Sequence, residues 1–452
     1  MSQPDGPTAR LAEWTATLTA EDVPPRVRER IALLLLDAVA SALAGRHGDE
    51  TAQVEAVAAE VAPGDEARVI GARRLSRLGA TLLNGYQVTA VTVCDVYRPS
   101  LCHVTPEVVP PALAMAEGRG VRGRDLVTAL GAGLETTVRA GIGIRYASFR
   151  DRGWHSPGVI GALGGAVAAG KLAGLDAERM RWALGLAGAQ ASGTFAQWGT
   201  PTIKFHQAHG AVAGLLAATL ARERFRSSDE ILAHPDGGLF NAYSDGGDPD
   251  AMTAGLGEHW ELERISMRLW PMASSLQGVV SAVFDLIADH DLRPEHVARM
   301  TIRLGEATYA LHGEMGWDDR FRALLSTRYA ASVVLHDRAC WLDQFEPARI
   351  ADPAVSSFAA ERVVVIEDRS VPAAGAVVEA ELTDGGRASV RRDIPKGDAD
   401  DPLSTDDVVD KFRRAAGGIL SHADTEAAVR ALLDVEELPD VDAVLDRLAG
   451  VA

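Results

Sequence analysis

Gly158-Val159-Ile160-Gly161-Ala162-Leu163-Gly164-Gly165-Ala166-Val167-Ala168-Ala169-Gly170-Lys171-Leu172 is the stretch on which the fold turns. Its apolar period is helical and no charge interrupts it before Lys171, so a buried helix is expected. It carries Gly158, Gly161, Gly164, Gly165 and Gly170, each costing an isolated helix about 1 kcal/mol relative to alanine. Such a helix holds only when its backbone presses against a neighbour. It also falls short of the ~20 apolar residues that a membrane span needs. Aromatic residues make up 5% of the chain while alanine, glycine, leucine and valine abound, so the core is expected to be helix on helix, built from small side chains.

Outward from that helix, three-and-four apolar spacing predicts further helices over 11–18, 27–43, 51–61, 77–92, 112–117 and 123–142 upstream, and over 181–193 and 210–221 downstream. Pro24 and Pro25 mark an entry and Gly45 an exit, and Val69-Ile70-Gly71 reads as a short extended piece. Residues 94–111 read as irregular: Tyr97-Arg98-Pro99-Ser100 is turn chemistry, and Pro106, Pro110 and Pro111 oppose a continuous helix. Beyond about residue 265 the texture changes to α+β. Helices are expected over 277–290 and 329–342, and strands over 297–304, 362–366, 377–382 and 387–392, the last two joined by the hairpin signal Thr383-Asp384-Gly385-Gly386. After an acidic linker, Ser404-x-x-Asp407 resembles a capping box for a helix over 408–416, with two more helices over 425–434 and 440–449. The expected fold class is mainly α: a large all-helical domain over 1–265, a smaller α+β lid domain over 266–400, and C-terminal helices over 401–452 that return to the first domain. A cleft between two such domains is the default place for a small ligand.

With 452 residues the chain is too long for one ordinary core. Forty-five basic against sixty-three acidic residues give a formal charge of −18, a field that repels nucleic acid and anionic membrane surfaces. An anionic small substrate would therefore need a local basic pocket. Cys94, Cys102 and Cys340 form no C-x-x-C pair and no zinc-type spacing, which excludes a disulfide framework. The N-terminus has neither a basic patch nor an apolar signal core, so a cytoplasmic protein is expected.

Motifs for common cofactors are missing. No H-E-x-x-H or EF-hand loop is present; His206 and His209 could share a helix face, which permits a metal without implying one, and the blander reading has one line a cleft and the other pack. The glycines over 141–143 and 161–165 lack a preceding strand, so no dinucleotide fingerprint is read. Gly-x-Ser-x-Gly is absent and Ser156, beside His155, sits in no nucleophile elbow. What remains is polar residues at helix ends: Asp95, Tyr97 and His103; Trp154-His155-Ser156; and Thr202-Ile203-Lys204-Phe205-His206. Three loops leading into helices could converge, and free N–H groups at helix starts favour a carboxylate. Taken singly, a histidine at a helix start is more often a cap or a packing residue.

The order of these segments resembles the MmgE/PrpD family, whose members include 2-methylcitrate dehydratase, cis-aconitate decarboxylase and iminodisuccinate epimerase, over nearly the whole chain. The resemblance is carried by residues 36–45 (Leu36-Asp37-Ala38 to Gly45), by His103 with Val109-Pro110-Pro111-Ala112-Leu113, and by His155 before its Gly/Ala helix. It continues through Ala183-Leu184-Gly185-Leu186-Ala187-Gly188-Ala189-Gln190-Ala191-Ser192-Gly193, Lys204 to His209, Arg268-Leu269-Trp270-Pro271, Ser326-Thr327-Arg328-Tyr329, Asp401-Pro402-Leu403-Ser404 and Lys411-Phe412. It implies a helical domain with an α+β lid, a homodimer, and a site that works on a small carboxylate without metal or other cofactor. By position it assigns catalysis to Asp95, His103, His155, Lys204 and Tyr329, and substrate binding to Tyr97, His206, Arg268 and Gln277. Where relatives have a further Asp and a Thr, this chain has Val93 and Tyr97; their Lys-x-Tyr-Pro is Arg268-Leu269-Trp270-Pro271; and where they often place His, it has Ala273 or Gln277.

The chemistry that fits is removal or delivery of a proton alpha to a carboxylate. Imidazole titrates near neutrality and suits base and acid roles, while Lys204 and Arg268 suit carboxylate binding. Lyase is the expected class, with loss of water or of carbon dioxide. The alternatives are an epimerase or isomerase of a carboxylate in a specialised pathway, and a non-catalytic binding protein that keeps the fold.

Overall fold

A computed structural model describes residues 6–450, and among them 59% of the chain is helical and 9% strand. The described residues divide into two compact units: one comprises 6–90, 94–266 and 404–450, the other 91–93 and 267–403.

In the first unit the glycine helix, Ser156–Leu172, is central and every residue from Ser156 to Gly170 is buried. It packs against the helices Thr105–Ala116, Gly123–Gly143 and Thr202–Arg222. The contact is backbone to backbone: a Cβ at Gly164 would stand 2.4 Å from the carbonyl oxygen of Gly133. No side chain fits there, which is how this helix recovers in close packing what its glycines cost. The helix Thr405–Ala416 opens on the Ser404–Asp407 capping box and packs on the helix Pro25–Gly45. There Lys411 Nζ meets Asp37 Oδ1 at 2.6 Å with both side chains fully buried. The returning tail thus belongs to the same core. Strands β1 (Ala67–Arg68) and β2 (Arg74–Leu75) form a small hairpin where an extended piece was expected at 69–71.

Several expectations need correction. The prolines over 106–111 do not break the chain, since Thr105–Ala116 is one helix with Pro110 and Pro111 inside it. Pro106 sits in the first turn, where no donor is needed. Pro111 frees the Glu107 carbonyl, and that oxygen lies against Gly165, where a Cβ would stand 2.6 Å away. The helix expected over 181–193 is Ala177–Gly188, because the chain turns at Ala189–Gln190 and then leads into a bridge between Trp154 and Thr194. Lys204 and His206 do not precede a helix; they lie in the first turns of Thr202–Arg222.

In the second unit, strands β3 (Val297–Leu304), β4 (Val363–Glu367), β5 (Ala376–Leu382) and β6 (Arg387–Arg392) form one sheet in the order β4-β3-β5-β6. β3 runs parallel to β4 and antiparallel to β5, with Ile302 opposite Val365 on one side and Val378 on the other. Alternation buries Met300, Ile302, Leu304, Val378 and Ala380. The helix Gln277–His290 covers β5 and β6, and the helix Thr327–Asp337 packs on it. That last helix ends at Asp337, short of the expected Leu342, because Arg338 takes a left-handed conformation, φ 51°. The terminal helix expected over 440–449 is reduced to Asp442–Leu445 and a following 3-10 turn.

Candidate active site

Asp95 is fully buried, and its carboxylate accepts from Val104 N at 2.8 Å, from Thr105 N at 3.1 Å and from the Thr105 hydroxyl. It caps the proline-containing helix from ten residues upstream, satisfying N–H groups that the helix leaves open. Burial lifts its pKa above the usual carboxylate range while those hydrogen bonds pull it back. The Asp95 backbone carbonyl lies 2.6 Å from His103 Nδ1. A carbonyl only accepts, so Nδ1 carries the hydrogen and the neutral ring keeps its lone pair on Nε2.

His155 is the N-cap residue of the glycine helix and is 8% exposed. Its Nδ1 lies 3.0 Å from Nδ1 of His206, with ring centroids 5.2 Å apart. Two facing nitrogens form a hydrogen bond only if one donates and the other accepts, so the neutral pair holds complementary tautomers. The approach depends on two glycines: a Cβ at Gly193, φ 118°, would stand 3.0 Å from the His206 ring, and one at Gly158 3.2 Å from His206 Cβ. Burial first, then the neighbouring His206, His103 and Arg150, holds His155 well below its ordinary pKa. His206 and His209 are lowered too, chiefly by burial. Asp95, His103, His155 and His206 thus occupy one corner of the first unit.

The other sequence candidates are placed differently. Lys204, two positions before His206, points to another face of its helix. Its Nζ donates to the carbonyl of Ala90 at 2.6 Å, at the C-terminus of the helix Arg77–Ala90, where the helix dipole favours a cation. Tyr97 is buried, its hydroxyl donates to Glu261 Oε2 at 3.2 Å, and its pKa is raised by burial and that carboxylate. In the second unit Arg268 Nη1 and Gln277 Nε2 both donate to the carbonyl of Met272, each at 3.2 Å. Gln277 also donates to the Trp270 carbonyl at 3.1 Å. Tyr329 is fully buried and donates to the Gln344 carbonyl at 2.5 Å, with its phenol raised by burial. Arg268 and Gln277 therefore come together, and Tyr329 stands apart from them.

Three residues near the histidines escaped the sequence reading. The Arg150 guanidinium lies over the Phe195 ring, 3.5 Å from its centroid, and Phe195 meets His155 edge-on at 6.0 Å. Glu107, in the first turn of the proline-containing helix, is fully buried. Arg150 and Phe195 carry no local motif, and Glu107 lay in a segment read as irregular. Among the described residues no group of three or more His, Cys, Asp or Glu is placed to hold a metal, and no helix is long and apolar enough to cross a membrane.

Residues 9–252 match the MmgE/PrpD N-terminal domain and residues 270–435 the MmgE/PrpD C-terminal domain. Along 99% of its length the chain is 28% identical to the cis-aconitate decarboxylase-like protein oryM of Aspergillus oryzae, covering 98% of that protein. It is 26% identical to the cis-aconitate decarboxylase of Aspergillus terreus over 98% of this chain and 96% of that one. With the human cis-aconitate decarboxylase it shares 26% identity over 83% of this chain and 80% of the other.

Proposed function

The chain belongs to the MmgE/PrpD family and is a lyase of that kind, and on this premise we propose that it releases carbon dioxide from a small unsaturated di- or tricarboxylic acid. The observation that carries the reading is the contact of His155 with His206 beside a His103 whose tautomer is fixed by Asp95. The relatives, all cis-aconitate decarboxylases or like them, favour carbon dioxide over water.

Cleavage of the bond to the departing carboxylate leaves an electron pair on carbon, conjugated to a remaining carboxylate. That carbon must be protonated, and the developing charge must meet fixed positive ends. His155 supplies the N–H: its low pKa keeps it neutral, and His206, which is half-buried, links it toward solvent. Arg150 and the open N–H groups at the start of the glycine helix face the charge that develops. Lys204, Arg268, Tyr97 and Gln277 enter this proposal only by their family positions, as carboxylate- or substrate-binding residues, since their donors are engaged here by the Ala90, Met272 and Trp270 carbonyls and by Glu261.

A second reading is dehydration, favoured by the Nε2 lone pair of His103. His103 then takes the alpha proton and His155 protonates the leaving hydroxyl. Incubating the protein with cis-aconitate and related unsaturated or hydroxy acids in deuterated water, and following gas release and deuterium by NMR, tests both. Carbon dioxide with one deuterium in the product is the expected result, water loss marks the second reading, and neither with any acid overturns both. His155→Ala should lower kcat about 10³-fold with the substrate that turns over, the scale of a lost acid–base group. A homodimer, turnover unaffected by chelators and a cytoplasmic location belong to the same proposal; sedimentation and a chelator control test the first two.

A further inference from the structure

Glu107 is the anomaly of the first unit. It is 0% exposed, and neither carboxylate oxygen has a hydrogen-bond partner among the described residues. A buried carboxyl in that state costs several kcal/mol if charged, and it persists only where something else requires it. The fold makes room for it on two helices. A Cβ at Gly161 would stand 2.4 Å from Glu107 Cγ, and one at Gly210 would stand 3.1 Å from the same atom. These are the helices that carry His155 and His206. Gly158 touches His206 and Gly161 follows one turn deeper, while Gly210 lies one turn beyond His206. Glu107 therefore sits one turn inward of the histidine pair, and four residues after His103.

Asp95 is the contrast. Both carboxyls are fully buried, but three hydrogen bonds favour the Asp95 anion, whereas no other residue donates to Glu107 and only its own backbone N–H favours its anion. Burial, then the nearby Asp95 charge, lifts Glu107 well above the carboxylate range; the Cys102 thiol, also buried, feels Glu107 in turn. Burial raises both carboxyls, but only Asp95 is drawn back by donors from other residues, so Glu107 is the one whose surroundings favour the acid form.

Loss of carbon dioxide from a carboxylate consumes one proton for every turnover, because the carbon that keeps the electron pair gains a hydrogen. A buried imidazole that gives up its N–H must be refilled. We propose that Glu107 is the proton store of the histidine site, refilling His155 as that ring protonates the substrate carbon. The carbon–carboxylate bond breaks to release carbon dioxide, and its electron pair takes the N–H proton of the neutral imidazole, leaving an imidazolate. The Glu107 O–H then breaks, a new imidazole N–H forms, and the carboxylate left behind regains a proton from solvent through the half-buried His206. One helical turn is about 5.4 Å, the span of two hydrogen bonds through one water. Glu107 acts through His155 and is thus a positioning residue. This inference rests on the decarboxylase reading for its chemistry.

The test uses Glu107→Gln, a neutral isostere that fills the slot without a transferable proton, and Glu107→Asp, which keeps the proton. In substrate-free protein at pH 7.5, infrared difference spectra of wild type against Glu107→Gln should show a protonated-carboxyl stretch in the wild type alone. Its absence overturns the proposal whether or not a substrate is known. With a substrate, Glu107→Gln should lower kcat about 10²-fold at nearly unchanged KM, the scale of one lost proton-transfer group, and Glu107→Asp should recover at least tenfold of it. Full activity in Glu107→Gln, or equal loss in both variants, shows a packing residue and overturns the proposal. If the wild type releases no carbon dioxide from any acid, the preceding reading fails, and the infrared band still decides whether Glu107 holds a proton. Should Glu107→Gln fail to fold, the same band, shifted in Glu107→Asp, gives that decision.

Discussion

The histidine corner of the first unit and the polar cluster after Pro271 in the second use similar residues in opposite ways. In the second unit His312 is buried with both ring nitrogens engaged: Nδ1 donates to the Leu325 carbonyl at 2.8 Å and Nε2 accepts from the Ser275 hydroxyl at 2.8 Å. Arg268, Gln277 and Tyr329 likewise direct their donors at backbone carbonyls. In the first unit the imidazoles face each other, and a carboxyl beside them faces no donor. The difference teaches that burial and a shifted pKa do not by themselves mark chemistry. What separates His155, His206 and Glu107 from that cluster is whether the polar atoms are committed to main-chain groups that never change protonation, as His103 Nδ1 and Lys204 are in the first unit too, or face groups that do.

The sharpest way to break that distinction is to ask His312 for a purely structural signature. Burial pulls it down from 6.5 to about 4. Below pH 6.5 the unfolded chain takes up a proton that the folded one refuses, so the stability this group contributes is complete above 6.5 and is lost as pH falls through 4. The difference is worth about 3 kcal/mol. Chemical denaturation of wild type and His312→Gln should show the wild type losing about that much more between pH 7 and pH 4. Turnover in the variant should stay within a few fold at pH 7.5. A collapse of kcat with intact folding would place His312 in the machinery and dissolve the contrast.

Glu107 should behave with the opposite sign. Its pKa is raised on folding, so whatever stability it contributes is present below about 4.5 and lost as pH climbs above it. Glu107→Gln should then be more stable than the wild type at pH 7.5, by about 1–3 kcal/mol as for a relieved buried polar group, and no more stable at pH 4. Gained stability with lost turnover is the pattern of a group retained for function. Equal stability at both values would mean that the carboxyl is satisfied in solution by something the fold supplies.

Much of this was readable from the chain. The glycines of 158–170 demanded close helix packing and received it, the strand over 297–304 and the helix over 277–290 were set by strict periodicity, and Ser404-x-x-Asp407 gave a true cap. His155 could be named because it opens a helix, and His103 as a polar residue of the Pro-rich segment that the resemblance also marks. The misreadings have tertiary causes. Pro110 and Pro111 read as breakers, yet a neighbouring glycine accepts the carbonyl that one of them frees. The Ala/Gly run through Gly193 read as helix, yet its end is needed as an extended shelf under His206. Glu107 could not be found by pattern, since the reason for its burial lies in Gly161 and Gly210, 54 and 103 positions away.

The smallest effect is expected at Tyr329, where the family resemblance and the geometry pull apart. The resemblance expects a catalytic residue there, but its hydroxyl donates to the Gln344 carbonyl, and its ring packs on Phe345 at 5.8 Å. Tyr329→Phe removes one buried hydrogen bond and leaves the Gln344 carbonyl without that donor, a loss of about 1–2 kcal/mol in stability. If commitment to the main chain is what separates the two regions, kcat at saturating substrate should stay within about threefold, under 1 kcal/mol. A tenfold fall in kcat with an unchanged melting temperature would mean that the hydroxyl leaves Gln344 during turnover. Commitment seen in the resting protein would then no longer distinguish a structural polar group from a working one.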